Sequence, residues 1–414
     1  SRGARISKTR RAMRPPQPKP SAASSAAALL AAASLHFAPT HTLNLIPVVH
    51  LGPQAALARE LASGSGSRVN KDPESLLRLA LPAQSRETRE LQAALEESAD
   101  DLTRLLLDKA TAAAGKAATV YNGQSAAVLK NAAAPDAAAK AYDELGGHIS
   151  KLRAALAANN VPAASKANAD ALTRLAAVEE SVASGAAQKA PPAEYSSSLP
   201  WLRGRATVAM TLKRDGGGFD VDGTLYKQLD VTLIVDGYTA PLTAGNFVDL
   251  VSRGFYNGMT IQRSDGFVVQ TGDPSAEPSA ADGTKNGFVP AGKQEVRKVP
   301  LEVFVKDDKA PIYGATFDDD GRGGYAAAMP FNAYGALGMA REEYDVDSAS
   351  SQWLWLLVDS GLPPAGQTLL DGRYACFGYT TDGARLLSDV KEGDVIVSAK
   401  VVDGLDRLVR PSSQ

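Results

Sequence analysis

Near residue 200 the spacing of apolar residues changes period, and no single regular architecture satisfies both halves of the chain. Between about residues 72 and 187 the composition is Ala/Leu-rich, and Leu91, Leu95, Leu102, Leu105 and Leu106 recur at helical spacing, with Glu96, Asp100, Asp101 and Arg104 on other faces. Asp72-Pro73-Glu74 reads as an N-cap, a first-turn proline and a first-turn acid opening a short helix that Pro82 ends. Further helices are expected around 121–130, from Pro135 through Leu156 and from Pro162 through Val182. Four or five helices with short breaks predict a bundle, and the leucine spacing fits packing within it better than a zipper, because too few heptads sustain it. Residues 184–200 (SGAAQKAPPAEYSSSLP) have linker composition.

After Trp201 the pattern alternates: Val208, Met210 and Leu212, then Val231, Leu233 and Val235. Strands are expected again over 259–263, 267–271, 299–304, 325–329, 337–341, 352–358, 374–379 and 395–402, with helices over 241–251 and 383–390. Many short strands with two helices predict a closed antiparallel β-barrel capped by helices, and an α+β class for the whole chain. Residues 275–334, with acidic runs at Asp307-Asp308 and Asp318-Asp319-Asp320, read as a solvated surface loop. The acidic runs lack the spacing and terminal Glu of a calcium loop.

All four histidines (His36, His41, His50, His148) precede residue 150, and Cys376 is the only cysteine. Histidine-dependent nucleophilic catalysis, His/Cys zinc sites and internal disulfides are thereby excluded from the strand-rich half. The first acidic residue is Glu60, whereas Arg2, Arg5, Lys8, Arg10, Arg11, Arg14 and Lys19 crowd the beginning. An acid-free, Arg- and Ser-rich stretch followed by the apolar core LNLIPVVHL (43–51) and Ala56-Leu57-Ala58 predicts a bipartite targeting segment over 1–58, for import and then export into an inner compartment. Removing its seven basic groups leaves 37 basic against 46 acidic residues, a formal charge of −9 that argues against a nucleic-acid partner. No stretch reaches the roughly 18 to 20 uninterrupted apolar residues of a membrane-spanning helix.

The segment TIQRSDGFVVQTGDP (260–274) concentrates the chemistry. Asp265-Gly266 between alternating runs predicts a two-residue hairpin in which Ser264 faces Phe267, Arg263 faces Val268 and Ile261 faces Gln270. Arg263, Val268, Gln270 and Ile261 then share one face, setting a guanidinium and a carboxamide on an apolar surface.

This segment resembles the cyclophilin signature, in which an arginine precedes a Gly-Phe pair and a glutamine that leads into Gly-Asp. TAGNFVDLVSRGFYNG (243–258), SSQWLWLL (350–357) and LDGRYACFG (370–378) are similar to three further cyclophilin motifs in the same order. With the targeting and helical segments, the chain resembles the large thylakoid-lumen cyclophilins of plants and green algae. The resemblance implies peptidyl-prolyl cis-trans isomerase activity without cofactor or metal, in the thylakoid lumen, on proline-containing segments such as lumenal loops of photosystem II core proteins during assembly. It makes Arg263 and Gln270 catalytic, and Phe267, Val268, Arg341, Leu354, Leu369 and Tyr374 substrate-binding.

Departures accompany it. One residue fewer separates Arg263 from Phe267, and Gln262 replaces a histidine. Leu354 replaces a phenylalanine, Leu369 a tryptophan, Tyr374 a histidine, Val268 a methionine and Arg341 an asparagine, so the proline cup is less aromatic. The expected organisation is a targeting segment (1–58), a helical bundle (59–190), a linker (191–204) and a cyclophilin-like domain (205–414). Two functions follow: an isomerase, autoinhibited where the helical domain contacts the cyclophilin domain, or a catalytically weak chaperone of the same fold that only binds lumenal client segments.

Overall fold

The computed structural model of the chain describes residues 69–186, 188–358 and 368–411; the expected targeting segment lies outside the described residues. Helices come first: α1 (Pro73–Ala80), α2 (Arg86–Thr103), α3 (Leu107–Gly123), the single turn α4 (Ser125–Val128), α5 (Pro135–Ala157), α6 (Val161–Gly185) and the short α7 (Ala193–Ser196). Asp72 caps α1 through bonds from Glu74 N and Ser75 N, as its sequence position predicts. Among the described residues no helix is long and apolar enough to cross a membrane.

Two helical expectations need correction. Leu105 and Leu106 do not extend the α2 stripe: α2 ends at Thr103, Leu105 takes a left-handed φ of 59°, and its side chain is exposed. Helix α3 begins directly afterwards and buries Ala110, Ala113, Ala114, Ala117 and Ala118 rather than leucines. Its stripe is written in alanine, which gives no periodic contrast in an alanine-rich segment. Ala110, Ala114, Ala117 and Ala118 join Leu91, Leu95, Leu145, Leu152 and Leu175 in one bundle core.

The strand half contains β1 (Trp201–Leu202), β2 (Arg205–Lys213), β3 (Phe219–Val221), β4 (Thr224–Tyr226), β5 (Leu229–Asp236), helix α8 (Pro241–Ser252), β6 (Arg263–Ser264), β7 (Val268–Thr271), β8 (Glu302–Val303), β9 (Ile312–Tyr313), β10 (Ala336–Met339), β11 (Trp353–Leu356), β12 (Cys376–Asp382), β13 (Val395–Asp403) and β14 (Leu408–Val409). Eight strands form one antiparallel sheet in the order β13-β2-β5-β12-β10-β11-β7-β6. A bridge between Thr260 and Val395 joins its two ends, so the sheet curls round on itself. Inside lie Trp353 and Trp355, both fully buried, with Phe247 of α8 edge-on to Trp353 at 5.1 Å. Helix α8 crosses the backbone of Trp201 at Gly245, where a Cβ would collide with the Trp201 Cα. The segment expected to be a helix over 383–390 is a 3₁₀ helix, Ala384–Asp389.

Part of the expected linker belongs to the barrel: Trp201 and Leu202 are buried in its core and pair with β14. The region 275–334 is not simply a solvated loop. Leu301, Val303, Val305 and Phe317 form a buried cluster of their own, and the strand expected over 325–329 is reduced to a bridge between Val305 and Ala327. Its acidic side chains are ion-paired, Asp318 with Arg373 at 2.7 Å and Asp320 with Arg322 at 3.0 Å.

The outer face of the sheet carries a second core. Met329 and Phe331, from a segment that straps across β10 and β12, pack with Leu354, Leu356, Leu370, Tyr374 and Tyr379, and so do Leu76 and Leu77 of α1. Arg205 of β2 donates to Asp236 at 2.6 Å, to Glu180 of α6 at 3.3 Å and to the carbonyl of Leu77 at 2.5 Å.

Candidate active site

Alternation along β7 and β11 builds the site. Leu354 pairs with Gln270 and Leu356 with Val268. These four point to the outer face, while Val269, Trp353 and Trp355 fill the interior.

The hairpin that brings Arg263 to this face differs from the sequence expectation by two residues. Arg263 pairs with Gln270 and Ser264 with Val269, and Asp265 N donates to Val268 O at 3.3 Å, so the chain turns at Gly266 and Phe267 rather than at Asp265 and Gly266. A two-residue type I′ turn needs positive φ at both positions, and only Gly266 has it, at 82°. Asp265 instead closes the loop with its side chain: Oδ1 accepts from Phe267 N and Val268 N, each at 3.0 Å. Ile261 leaves the Arg263 face and joins the interior core with Val269.

The Arg263 side chain is 12% exposed, and its Nε donates to Asp265 Oδ2 at 2.8 Å while Nη2 contacts the same oxygen. Gln270 is buried; its Nε2 donates to Gln352 Oε1 at 3.1 Å, and Gln352 Nε2 in turn donates to Asp273 Oδ2 at 3.1 Å. The Gln270 Oε1 atom is buried without a hydrogen-bond partner. An unsatisfied buried acceptor of this kind costs about 1–3 kcal/mol.

The residues matched to the proline cup do not all line one cavity. Val268, Leu354 and Tyr374 are buried in one cluster with Phe331, Met329, Leu76 and Leu77, whereas Phe267 (52% exposed) and Leu369 (42%) are exposed. Burial raises the Tyr374 phenol above its usual range. Arg341 is buried and donates to the carbonyls of Arg373, Glu342 and Glu343, with its guanidinium 4.8 Å from the Tyr374 ring centre, so it ties two backbone segments together behind the cup. Cys376 lies in the same buried cluster, and burial pushes its thiol up. A cleft of about 820 Å³ opens beyond Leu369, bounded by Leu79, Arg89, Lys306, Tyr325 and Arg373.

Three participants escaped the sequence reading. Phe331 and Leu76 show only as apolar residues, since spacing does not say which face another segment will cover. Asp265 fits a turn former in the sequence, although a carboxylate two positions from an arginine is also a signal for an ion pair.

Comparison with known proteins agrees with this geometry. Residues 223–408 match the family model of the cyclophilin type peptidyl-prolyl cis-trans isomerases, and residues 72–183 match the PsbQ-like domain of CYP38-like isomerases. The chain is 40% identical over 347 residues to the chloroplastic peptidyl-prolyl cis-trans isomerase CYP38 of Arabidopsis thaliana, covering 83% of this chain and 76% of the relative. It is 36% identical over 364 residues to a putative thylakoid lumen peptidyl-prolyl cis-trans isomerase of Synechocystis, covering 87% and 89%. Chloroplastic CYP37 of Arabidopsis thaliana is 35% identical over 227 residues, 53% of this chain and 44% of the relative. With a barrel whose outer face carries the arginine and glutamine of the signature, and two of these relatives matched over three quarters or more of their length, the chain belongs to the cyclophilin-type peptidyl-prolyl cis-trans isomerases.

Proposed function

We propose that the protein is a peptidyl-prolyl cis-trans isomerase of the chloroplast thylakoid lumen that serves in folding and assembly of photosystem II, with Arg263 and Gln270 carrying the chemistry. An X-Pro amide resists rotation by about 18–20 kcal/mol because resonance holds it planar. Twisting leaves a lone pair on the imide nitrogen, and a guanidinium N–H directed at it stabilises the twisted state more than either planar state. Gln270 Oε1 accepts a substrate backbone N–H and fixes the register, while Val268, Leu354 and Phe267 bound the proline ring. The pairing of Arg263 with Gln270 on adjacent strands of the outer face carries this reading. The chloroplast assignment rests on the name of the Arabidopsis relative CYP38, the lumenal one on that of the Synechocystis relative, and the photosystem II role on the PsbQ-like match.

In this reading the helical domain is an intramolecular partner that holds the isomerase back. Support comes from Leu76 and Leu77, which share a buried cluster with Val268, Leu354 and Tyr374. Cis-trans exchange of a proline peptide, followed by NMR exchange spectroscopy, tests both parts on residues 59–414, on residues 200–414, and on Arg263→Ala of each. Acceleration lost in Arg263→Ala supports the enzyme, and a faster short chain supports the restraint. Client binding without acceleration in any form supports the second reading, a chaperone of the same fold, which the filled cup favours.

A further inference from the structure

Asp265 uses its two oxygens for different work. Oδ1 caps the loop amides of Phe267 and Val268, and Oδ2 takes the Nε and Nη2 edge of Arg263. Burial would raise this carboxyl, but the two amides and the guanidinium together hold it below the usual range, so it stays ionised. The capping bonds fix the carboxylate in the loop, and it cannot follow Arg263 outward without leaving both amides unsatisfied.

We propose that Asp265 is a positioning residue that restrains the isomerase: it draws Arg263 onto the loop and neutralises the charge with which Arg263 would meet the imide nitrogen. The proposal rests on the reading of Arg263 as the donor to that nitrogen. A hydrogen bond from a charged donor is roughly twice as strong as one from a neutral donor, and pairing with a carboxylate removes much of that advantage. The guanidinium must also turn away from Asp265 before its Nε and Nη2 edge can reach a substrate. The cost of breaking this pair therefore adds to the barrier of every turnover.

Asp265→Asn separates the two jobs, because the amide oxygen still caps Phe267 N and Val268 N while the charge is gone. In the chain from residue 59 onward, with an Ala-Pro tetrapeptide as substrate, Asp265→Asn is expected to raise kcat about tenfold. KM should stay within about twofold, because the apolar cup is unchanged. The Arg263 Nε–H resonance is expected to shift, and the double variant Arg263→Ala/Asp265→Asn should be as slow as Arg263→Ala alone. Asp265→Ser, which keeps a short capping oxygen, should repeat the gain if the asparagine disturbs the loop. If Arg263→Ala abolishes activity while both Asp265 variants match or fall below the parent rate, the restraint is wrong and the donor reading stands. If neither Arg263→Ala nor the Asp265 variants change the rate, in this chain or in its Leu76→Ala/Leu77→Ala form, both are wrong.

Discussion

Asp371 and Phe331 lie forty positions apart, yet the Asp371 carboxylate accepts the backbone N–H of Phe331 at 2.8 Å. Its other oxygen accepts from Thr368 N at 2.9 Å, so one buried side chain ties the strap across the outer face to the loop that rims the cup. The Phe331 ring is thereby pressed against the sheet: a Cβ built on Gly338 would lie 3.0 Å from Phe331 and 3.1 Å from Leu354. A phenylalanine from the chain itself lies against the same glycine as Leu354.

Phe331→Ala should therefore destabilise the protein and open the cup together. Truncating a fully buried phenylalanine costs about 3–5 kcal/mol. Urea unfolding should show a loss in this range, while NMR titration with a proline peptide should show tighter binding. Weaker binding in a folded variant would mean that Phe331 is part of the peptide site rather than its cover.

Leu76→Ala combined with Leu77→Ala should release α1. Each buried leucine contributes about 2–5 kcal/mol at a site that cannot collapse, and the Arg205 bond to the Leu77 carbonyl goes with them. Hydrogen exchange is expected to quicken at residues 74–81 while α5 and α6 keep their protection, because their core does not include either leucine. Uniform acceleration through the bundle would contradict this.

Stability should rise on acidification from pH 8 to pH 5. Glu302 is buried against the start of α8, where Leu242 N and Thr243 N donate to it at 3.2 and 2.9 Å, and burial still pushes its carboxyl up to about 7 from its ordinary 4.5. A folded-state value above the unfolded one means that folding takes up a proton. The contribution is complete below about pH 4.5 and is lost as pH rises through 7, at most about 3 kcal/mol. Asp371, raised to about 6, and Glu179, raised to about 8, act in the same direction, burial being the main cause in each. Denaturation at both pH values should show a smaller difference for Glu302→Gln than for the parent; an equal difference would remove Glu302 from the account.

Asp249→Asn should loosen the C-terminal region. This buried carboxylate accepts from Arg253 at 2.9 Å, Arg297 at 2.7 Å and Arg410 at 2.7 Å, joining α8, the long inserted region and the chain beyond β14. Removing its charge breaks the ion pair with Arg297, itself buried, along with those to Arg253 and Arg410, and a loss of about 3–5 kcal/mol is expected in urea. Limited proteolysis should begin near Arg410.

The bundle was legible where large apolar side chains mark the buried stripe, as with Leu145, Ile149, Leu152 and Leu156 on α5, and illegible on α3, where alanines do the same work. The alternation of Trp353 and Trp355 with Leu354 and Leu356 identified a strand, and ordered motifs identified the barrel. The hairpin register was not readable, because the Asp265 side chain, bonded to Phe267 N and Val268 N, holds the turn one position further along, at Gly266 and Phe267. Nor does any local pattern say that Leu76, nearly two hundred residues before Val268, packs in the same cluster. Long-range coverage of a face leaves no periodic trace.

The bridge from Thr260 to Val395, with β13 lying beside β2, makes the barrel depend on residues far apart along the chain. A polypeptide emerging N-terminus first from a ribosome or a translocation pore can complete the bundle through Gly185 while the strands beyond remain unpaired. Ring closure has to wait until residue 403 is free, because the first long strand has no neighbour on that side before then. The helical domain is thus already formed when the outer face of the sheet first appears. A segment able to cover that face is present throughout the interval when its apolar surface would otherwise invite aggregation.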